Sequence, residues 1–291
     1  MKKEILTQLV AQYESPARIA LSRRFPILKR PIISTRRALR ILYHVLHPKI
    51  RRRISDTFFT HVVARHQSLL RRKLGTSDPR LQEQKIQNLA QAVKRLNGVV
   101  IQPGEIFSLW HIVGKPSYKK GYVDGMLLSN GQVVEGLGGG LCQLSNFLCW
   151  IFLHAPIEIV ERYHHSKDVF PDSGRVLPFG SGATILYNFV DLKVKNTSDV
   201  PLQLKIWLTD NHLKGQIVSS KPVFSKFHVY EKEHFFVKKQ DAYFRYNEIY
   251  RDEKIEGILQ GTAKLFTNFA PVLYDIDQGY IEKNNLRLIE L

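Results

Sequence analysis

The chain has 291 residues and carries 43 Lys and Arg against 26 Asp and Glu, a formal charge of +17. Hydrophobic residues make up 44% and charged residues 24%, proportions that exclude wholesale disorder and a polytopic membrane protein. Two cysteines exclude a disulfide-stapled scaffold and a Cys-rich zinc module.

The charge is concentrated at one end. Residues 1–74 hold eighteen basic and three acidic residues, a balance of +15, which leaves +2 for the remaining 217. Ile5–Val10 is broken by Thr7 and Gln8 and has no cleavage-site pattern behind it, so no secretion signal is expected. No stretch approaches the roughly 20 apolar residues of a bilayer span. The expected compartment is the cytoplasm, with the basic arm able to hold the protein at the inner face of the membrane.

Phe25–Arg53 mixes apolar residues with Arg30, Arg36, Arg37, Arg40 and Arg51–Arg53, and Leu39, Leu42, Val45 and Leu46 fall at helical spacing. Two placements fit. Residues 25–53 can lie on an anionic membrane surface, each basic residue contributing on the order of 1 kcal/mol. They can also form a layer on the main domain with the Arg face solvated. Nucleic acid is disfavoured as a partner, because few aromatics are interleaved with the basic residues to stack on bases.

Asp56–Leu70 and Asp78–Leu96 both read as helices; in the second, Leu81, Ile86, Leu89, Ala92, Val93 and Leu96 form a stripe behind an Asp78-Pro79 start. Val99–Gln102 reads as a short strand. Residues 114–140 are Gly-rich, with short apolar pieces suited to tight turns between small strands. Leu141–His154 reads as a buried helix stopped by Ala155-Pro156, and Ile157–Val160 as a strand. Ala183–Phe189, Leu192–Lys195, Leu202–Leu208 and Gly215–Ser219 read as strands, followed by a strand-like tail over 224–291. The fold class is α+β: N-terminal helices, a central Gly-rich α/β core with a Cys at a helix start, and a β-rich C-terminal part. The expected divisions are a basic helical arm over 1–74, a core domain over 75–220 and a β-rich extension over 221–291.

The segment with chemical content is Gly138-Gly139-Gly140-Leu141-Cys142-Gln143-Leu144-Ser145-Asn146. It places Cys142 in the first turn of a helix, where unpaired N–H groups and the helix dipole stabilise a thiolate. Backbone N–H groups of Gly139, Gly140 and Gln143 are candidates for an oxyanion site. A base would come from Glu161-Arg162-Tyr163-His164-His165-Ser166-Lys167-Asp168, with His164 or His165 taking the thiol proton and Asp168, Asp172 or a carbonyl fixing the tautomer. Arg162, Lys167, Arg175 and Ser145 are candidates for substrate contact. Cys142 can equally be a small buried hydrophobe and the two His surface residues. Cys149, about 10 Å further along the helix, reads as core. A zinc site from Cys142, His164 and His165 lacks a ligand spacing, so neither a metal nor another cofactor is expected.

In order, Asn97-Gly98, Pro103-Gly104-Glu105-Ile106-Phe107-Ser108, Gly114, Gly121-Tyr122, Gly138–Ser145, Glu161-Arg162, His165-Ser166, Ala183-Thr184 and Asp191-Leu192-Lys193 form a string that resembles the VanW family. That family is named for an accessory protein of some vancomycin-resistance clusters. The resemblance covers residues 75–220 and implies a bacterial protein of cell-envelope biology. For the extracellular multidomain members it implies Cys-dependent L,D-transpeptidation of peptidoglycan. Carried over, Cys142 would be the nucleophile, His165 the base, and a cell-wall-type peptide or precursor the partner. The chain has Tyr163 where many members have His, and Gly182 where extracellular members often have Asp.

Overall fold

Apolar residues recur every three or four positions where the chain becomes helical and every second position where it becomes extended. The computed structural model describes residues 2–14, 25–71, 78–129, 132–164, 166–169, 171–172, 176–276, 278–283 and 286–291. The helices are α1 (Lys2–Glu14), α2 (Lys29–Leu46), α3 (Arg80–Leu96), α4 (Leu109–Val113), α5 (Leu141–Leu153) and α6 (Gln278–Lys283). The strands are β1 (Arg53–Ile54), β2 (His61–Leu69), β3 (Val99–Ile101), β4 (Ile106–Ser108), β5 (Asp124–Ser129), β6 (Gln132–Leu137), β7 (Ile157–Glu161), β8 (Lys193–Asn196), β9 (Leu202–Leu208), β10 (His212–Ser219), β11 (Ser225–Lys239), β12 (Ala242–Ile255), β13 (Ile258–Pro271) and β14 (Leu288–Glu290). The fold is mixed α+β, with a β-rich C-terminal part.

Two sheets and two helices form the main core. One sheet has the order β1-β3-β9-β10-β2, the other β4-β8-β7, and all pairs are antiparallel. The α5 segment is apolar almost all round, as a helix buried between layers must be. Phe147 on it meets the His66 ring of β2 at 5.1 Å, and Phe152 meets Phe107 of β4 at 5.1 Å. α3 contributes Leu89, Ala92, Val93 and Leu96 to the same core. Beyond it, a four-stranded sheet of order β13-β12-β11-β14 receives Leu153 of α5 against Val229 and Ile249. Its other side holds α1, whose Leu6 and Val10 pack on Phe235, Val237 and Phe244. Burying a side chain of that size stabilises by roughly 1.5–3 kcal/mol.

Two expectations are corrected. Residues 56–70 are not a helix: His61–Leu69 is β2, paired with β10 from His61↔Ser219 to Leu69↔His212. Its apolar pattern is blunted because β2 is an edge strand with one face largely exposed. Ala183–Phe189 is not a regular strand. Its backbone groups bond instead to side chains of α5 and, through isolated bridges, to Tyr163 and Val190.

α2 lies on the core with its polar side inward. His44 is 3% exposed, Arg40 pairs with Glu161, and Arg37 sits over the Tyr187 ring. Leu39, Leu42, Val45 and Leu46 are 60%, 52%, 63% and 69% exposed. The helix therefore forms a layer on the core, with Arg37 and Arg40 turned inward and Arg30 and Arg36 left exposed. Among the described residues no helix is long and apolar enough to cross a membrane.

Candidate functional site

Two of the three glycines ahead of Cys142 are required by packing. A Cβ on Gly139 would fall inside the Gly125 carbonyl of β5, and one on Gly140, whose φ is +90°, would enter the Lys85 side chain of α3. Asn88, one turn along α3, donates to Gly139 O at 2.9 Å and Val123 O at 3.0 Å and accepts from Val123 N–H at 2.8 Å. The buried Lys85 ammonium donates to Leu70 O and to Gln82 Oε1. Neither residue was singled out from the sequence, where both interrupt the apolar stripe of α3.

That packing occupies the backbone donors proposed for an oxyanion. Gly139 N–H donates to Gly136 O at 3.0 Å, Gly140 N–H to Met126 O at 2.8 Å and Gln143 N–H to Gly140 O at 3.0 Å. The Gln143 side chain reaches Ser68 Oγ and Leu69 O on β2. The Leu141 and Cys142 N–H groups, first in α5, are the ones not given a carbonyl among the described residues.

The segment 183–185 runs across the start of α5 and takes it as one of two neighbours. Ala183 N–H donates to Asn146 Oδ1 at 2.8 Å, Ser145 Oγ donates to Ala183 O at 2.6 Å, and the Ile185 backbone donates to the Cys142 sulfur. On the opposite edge Thr184 N–H donates to Tyr163 O at 2.7 Å. N–H groups alternate edges along an extended chain, so Cys142 and Tyr163 flank the segment from opposite sides. Gly182 has no room for a side chain, because Asn146 fills the space a Cβ would take.

Cys142 is half-buried, and burial raises its thiol above the ordinary range, against the pull of the Ile185 hydrogen bond. Cys149 is fully buried and pushed up to about 11 by the same cause. His164 is exposed on the Tyr163 side; partial burial of its ring, then the Arg162 charge, push it below the usual histidine value. His165 and Arg175 lie outside the described residues. Arg162 donates to Gly180 O and Gly182 O and stacks on Phe266 at 3.6 Å, so it fastens the loop that leads into the 183–185 segment. Ser145 is fully buried, its one hydroxyl proton shared between Ala183 O and the more distant Cys142 O at 3.0 Å. Lys167 lines a cavity beside α1 and the β11–β12 turn. Asp168 and Asp172 are bound by the buried Arg245 of β12, at 3.1 Å and 2.5 Å, with Tyr274 donating to Asp168 at 3.0 Å. Among the described residues no group of three or more His, Cys, Asp or Glu is placed to hold a metal ion.

A second buried network lies under α2. Asp191 is fully buried and accepts from Ser108 Oγ at 2.6 Å, Trp110 N–H at 3.1 Å and Leu192 N–H at 2.9 Å. Burial nevertheless pushes its carboxyl up to about 6, and His44 Nε2 stands 4.0 Å away, pushed down to about 4 by burial and then Lys193. Between pH 4 and 6 the unfolded chain protonates His44 while the fold does not, so that group loses stability as pH falls. Over the same window the fold protonates Asp191 while the unfolded chain does not, which gains stability as pH falls. The two slopes oppose. Removing one partner should expose the other: His44→Gln should make urea stability rise on acidification from pH 6 to 4.5, and Asp191→Asn should make it fall. Each slope should approach about 1.4 kcal/mol per pH unit. Two variants with the same slope would refute the assignment.

Residues 84–218 match the family described as VanW like protein. The chain is 32% identical over 204 residues to the Vancomycin B-type resistance protein VanW of Enterococcus faecalis, covering 68% of this chain and 73% of that protein. It is 30% identical over 118 residues to the uncharacterized protein YoaR of Bacillus subtilis, covering 40% of this chain and 37% of that protein. No solved structure gives a significant match. The family-matched span runs from within α3 to within β10, so it holds the Gly loop, Cys142, the 183–185 segment and Asp191, and leaves α2 and the C-terminal sheet outside.

Proposed function

The chain belongs to the VanW family, and from that footing we propose that it is a membrane-peripheral accessory protein of vancomycin resistance or a related envelope process, held at the inner face of the membrane by α2. The observation that carries this reading is the orientation of α2. A helix that turns Arg37, Arg40 and His44 toward the protein and leaves Leu39, Leu42, Val45 and Leu46 in water exposes apolar surface that an interfacial helix inserts among lipids. Exposed Arg30 and Arg51–Arg53 flank it with the charge that anionic lipid attracts. The full-length protein should pellet with vesicles containing phosphatidylglycerol, and Leu42→Ser/Leu46→Ser should return most of it to the supernatant. Equal pelleting of both would end this reading.

The second reading is Cys-dependent acyl transfer on a cell-wall-type peptide, with Cys142 attacking a carbonyl, a His of the 164–165 pair carrying its proton to the leaving amine, and the Leu141 and Cys142 N–H groups facing the oxyanion. The Ile185 hydrogen bond on the sulfur favours it; the raised thiol and the intervening segment weigh against it. Alkylation against pH separates the two. The accessory reading expects Cys142 to titrate at or above about 8.5 and Cys142→Ser to keep the resistance phenotype. A thiol titrating well below that, with loss of phenotype in Cys142→Ser, would favour acyl transfer.

A further inference from the structure

The underside of α2 meets the β7–β8 edge and the 188–190 turn around a cavity of about 720 Å³. Three cations line it, Arg36 and Arg40 from α2 and Lys193 from β8, against one carboxylate, Glu161. Glu161 is already committed to both Arg40 and Lys193, the latter at 3.2 Å. Arg36 stands over the Phe189 ring at 5.4 Å and has no carboxylate partner among the described residues. The Arg40 Nε is buried with no hydrogen-bond partner among them. Apart from Asn188 the rest of the lining is apolar or aromatic, and Leu39 and Tyr43 at the rim are 60% and 47% exposed. Along the helix, Leu42 and Leu46 continue that rim at three- and four-residue spacing.

We propose that this cavity binds the phosphodiester headgroup of an anionic membrane lipid, with the acyl chains lying along Leu39, Leu42 and Leu46. The assignment rests on the membrane-peripheral reading for its lipid source, while its headgroup chemistry rests on the cavity. Two positive charges in excess suit one or two negative charges. The forked donors of Arg36 match phosphate oxygens, Arg40 and Lys193 add charge beside them, and Glu161 disfavours a more highly charged anion. The cavity thereby turns a non-specific basic helix into one that selects its lipid.

The test uses the full chain and soluble short-chain lipids, which bind without a bilayer. Dihexanoyl phosphatidylglycerol should bind, and dihexanoyl phosphatidylcholine and inorganic phosphate should bind much more weakly. Arg36→Gln should weaken phosphatidylglycerol binding by about tenfold. Arg30→Gln, the same charge change on α2 away from the cavity, should weaken it less than about twofold. Leu42→Ser/Leu46→Ser, which removes two of the acyl-chain contacts, should weaken short-chain binding and abolish vesicle pelleting. If that variant pellets normally but Arg36→Gln still loses short-chain binding, the membrane reading fails and the headgroup site stands. No binding of dihexanoyl phosphatidylglycerol, equal effects of the two Arg variants, or inorganic phosphate binding as tightly would overturn the site.

Discussion

Arg245→Ala should destabilise the protein by about 3–5 kcal/mol, the cost of leaving the buried Asp168 carboxylate, with the part-exposed Asp172 beside it, without its cation. The Arg245 side chain is 3% exposed and bonds Asp168 at 3.1 Å and Asp172 at 3.0 and 2.5 Å, and its Nε donates to His234 Nε2 at 2.9 Å. Its guanidinium lies between the Phe179 and Phe236 rings. Asp168 is also fixed by backbone, its N–H donating to Pro271 O and its carbonyl accepting from Leu273 N–H. One side chain of the C-terminal sheet therefore anchors the loop that starts at His164 and returns at the 183–185 segment. Urea unfolding measures the loss, and limited proteolysis should cut first within residues 166–180. Restoring volume without charge in Arg245→Met should recover little while both Asp remain, and more when they become Asn. A loss under about 1 kcal/mol would show that water reaches the two carboxylates.

Gly139→Ala should follow, at about 3 kcal/mol or more. The added methyl meets the backbone of Gly125 and Met126, which belong to β5 and cannot move as the tip of a side chain can. Gly104→Ala is the control. It has a φ of +75° and nothing within 4 Å of a new Cβ, so it carries conformational strain of about 1–2 kcal/mol and no clash. If the two cost the same in urea, the β5–β6 hairpin gives way and the loop before Cys142 is less rigid than its hydrogen bonds suggest.

Elements whose partners lie close in sequence were legible in it. α5 follows from three glycines and an unbroken apolar run, and the β5–β6 hairpin from glycines spaced by short apolar pieces. β2 was not, because an edge strand has one exposed face and its stability comes from β10, well over a hundred residues later. The 183–189 run alternates like a strand, yet Asn146, Ser145 and Cys142 on one edge and Tyr163 on the other take its backbone groups. At the site, the sequence correctly located Cys142 at a helix start. It could not show that the glycine N–H groups are already bonded, since their acceptors come from β5 and β6. Arg162 looked available for substrate and Asp168 for fixing a histidine tautomer, because their partners, Gly180, Gly182, Phe266 and Arg245, are close in space and not all close in sequence. Arg36, Arg40 and Lys193 were visible as charges, but not as one cluster facing a cavity.

The docking of α1 on the C-terminal sheet sets an order of events during synthesis. Leu6 and Val10 pack on Phe235, Val237 and Phe244, so the helix emerges more than 200 residues before its partner exists. At roughly 5–20 residues per second, that is a wait of about ten to forty seconds. During it, the apolar face of α1 is open to chaperones, to lipid and to other nascent chains. A ribosome that stalls within the last strands would release a chain whose core sheets can pair but whose first helix has nowhere to go. Abundance in the cell should therefore be sensitive to translation speed over residues 225–271.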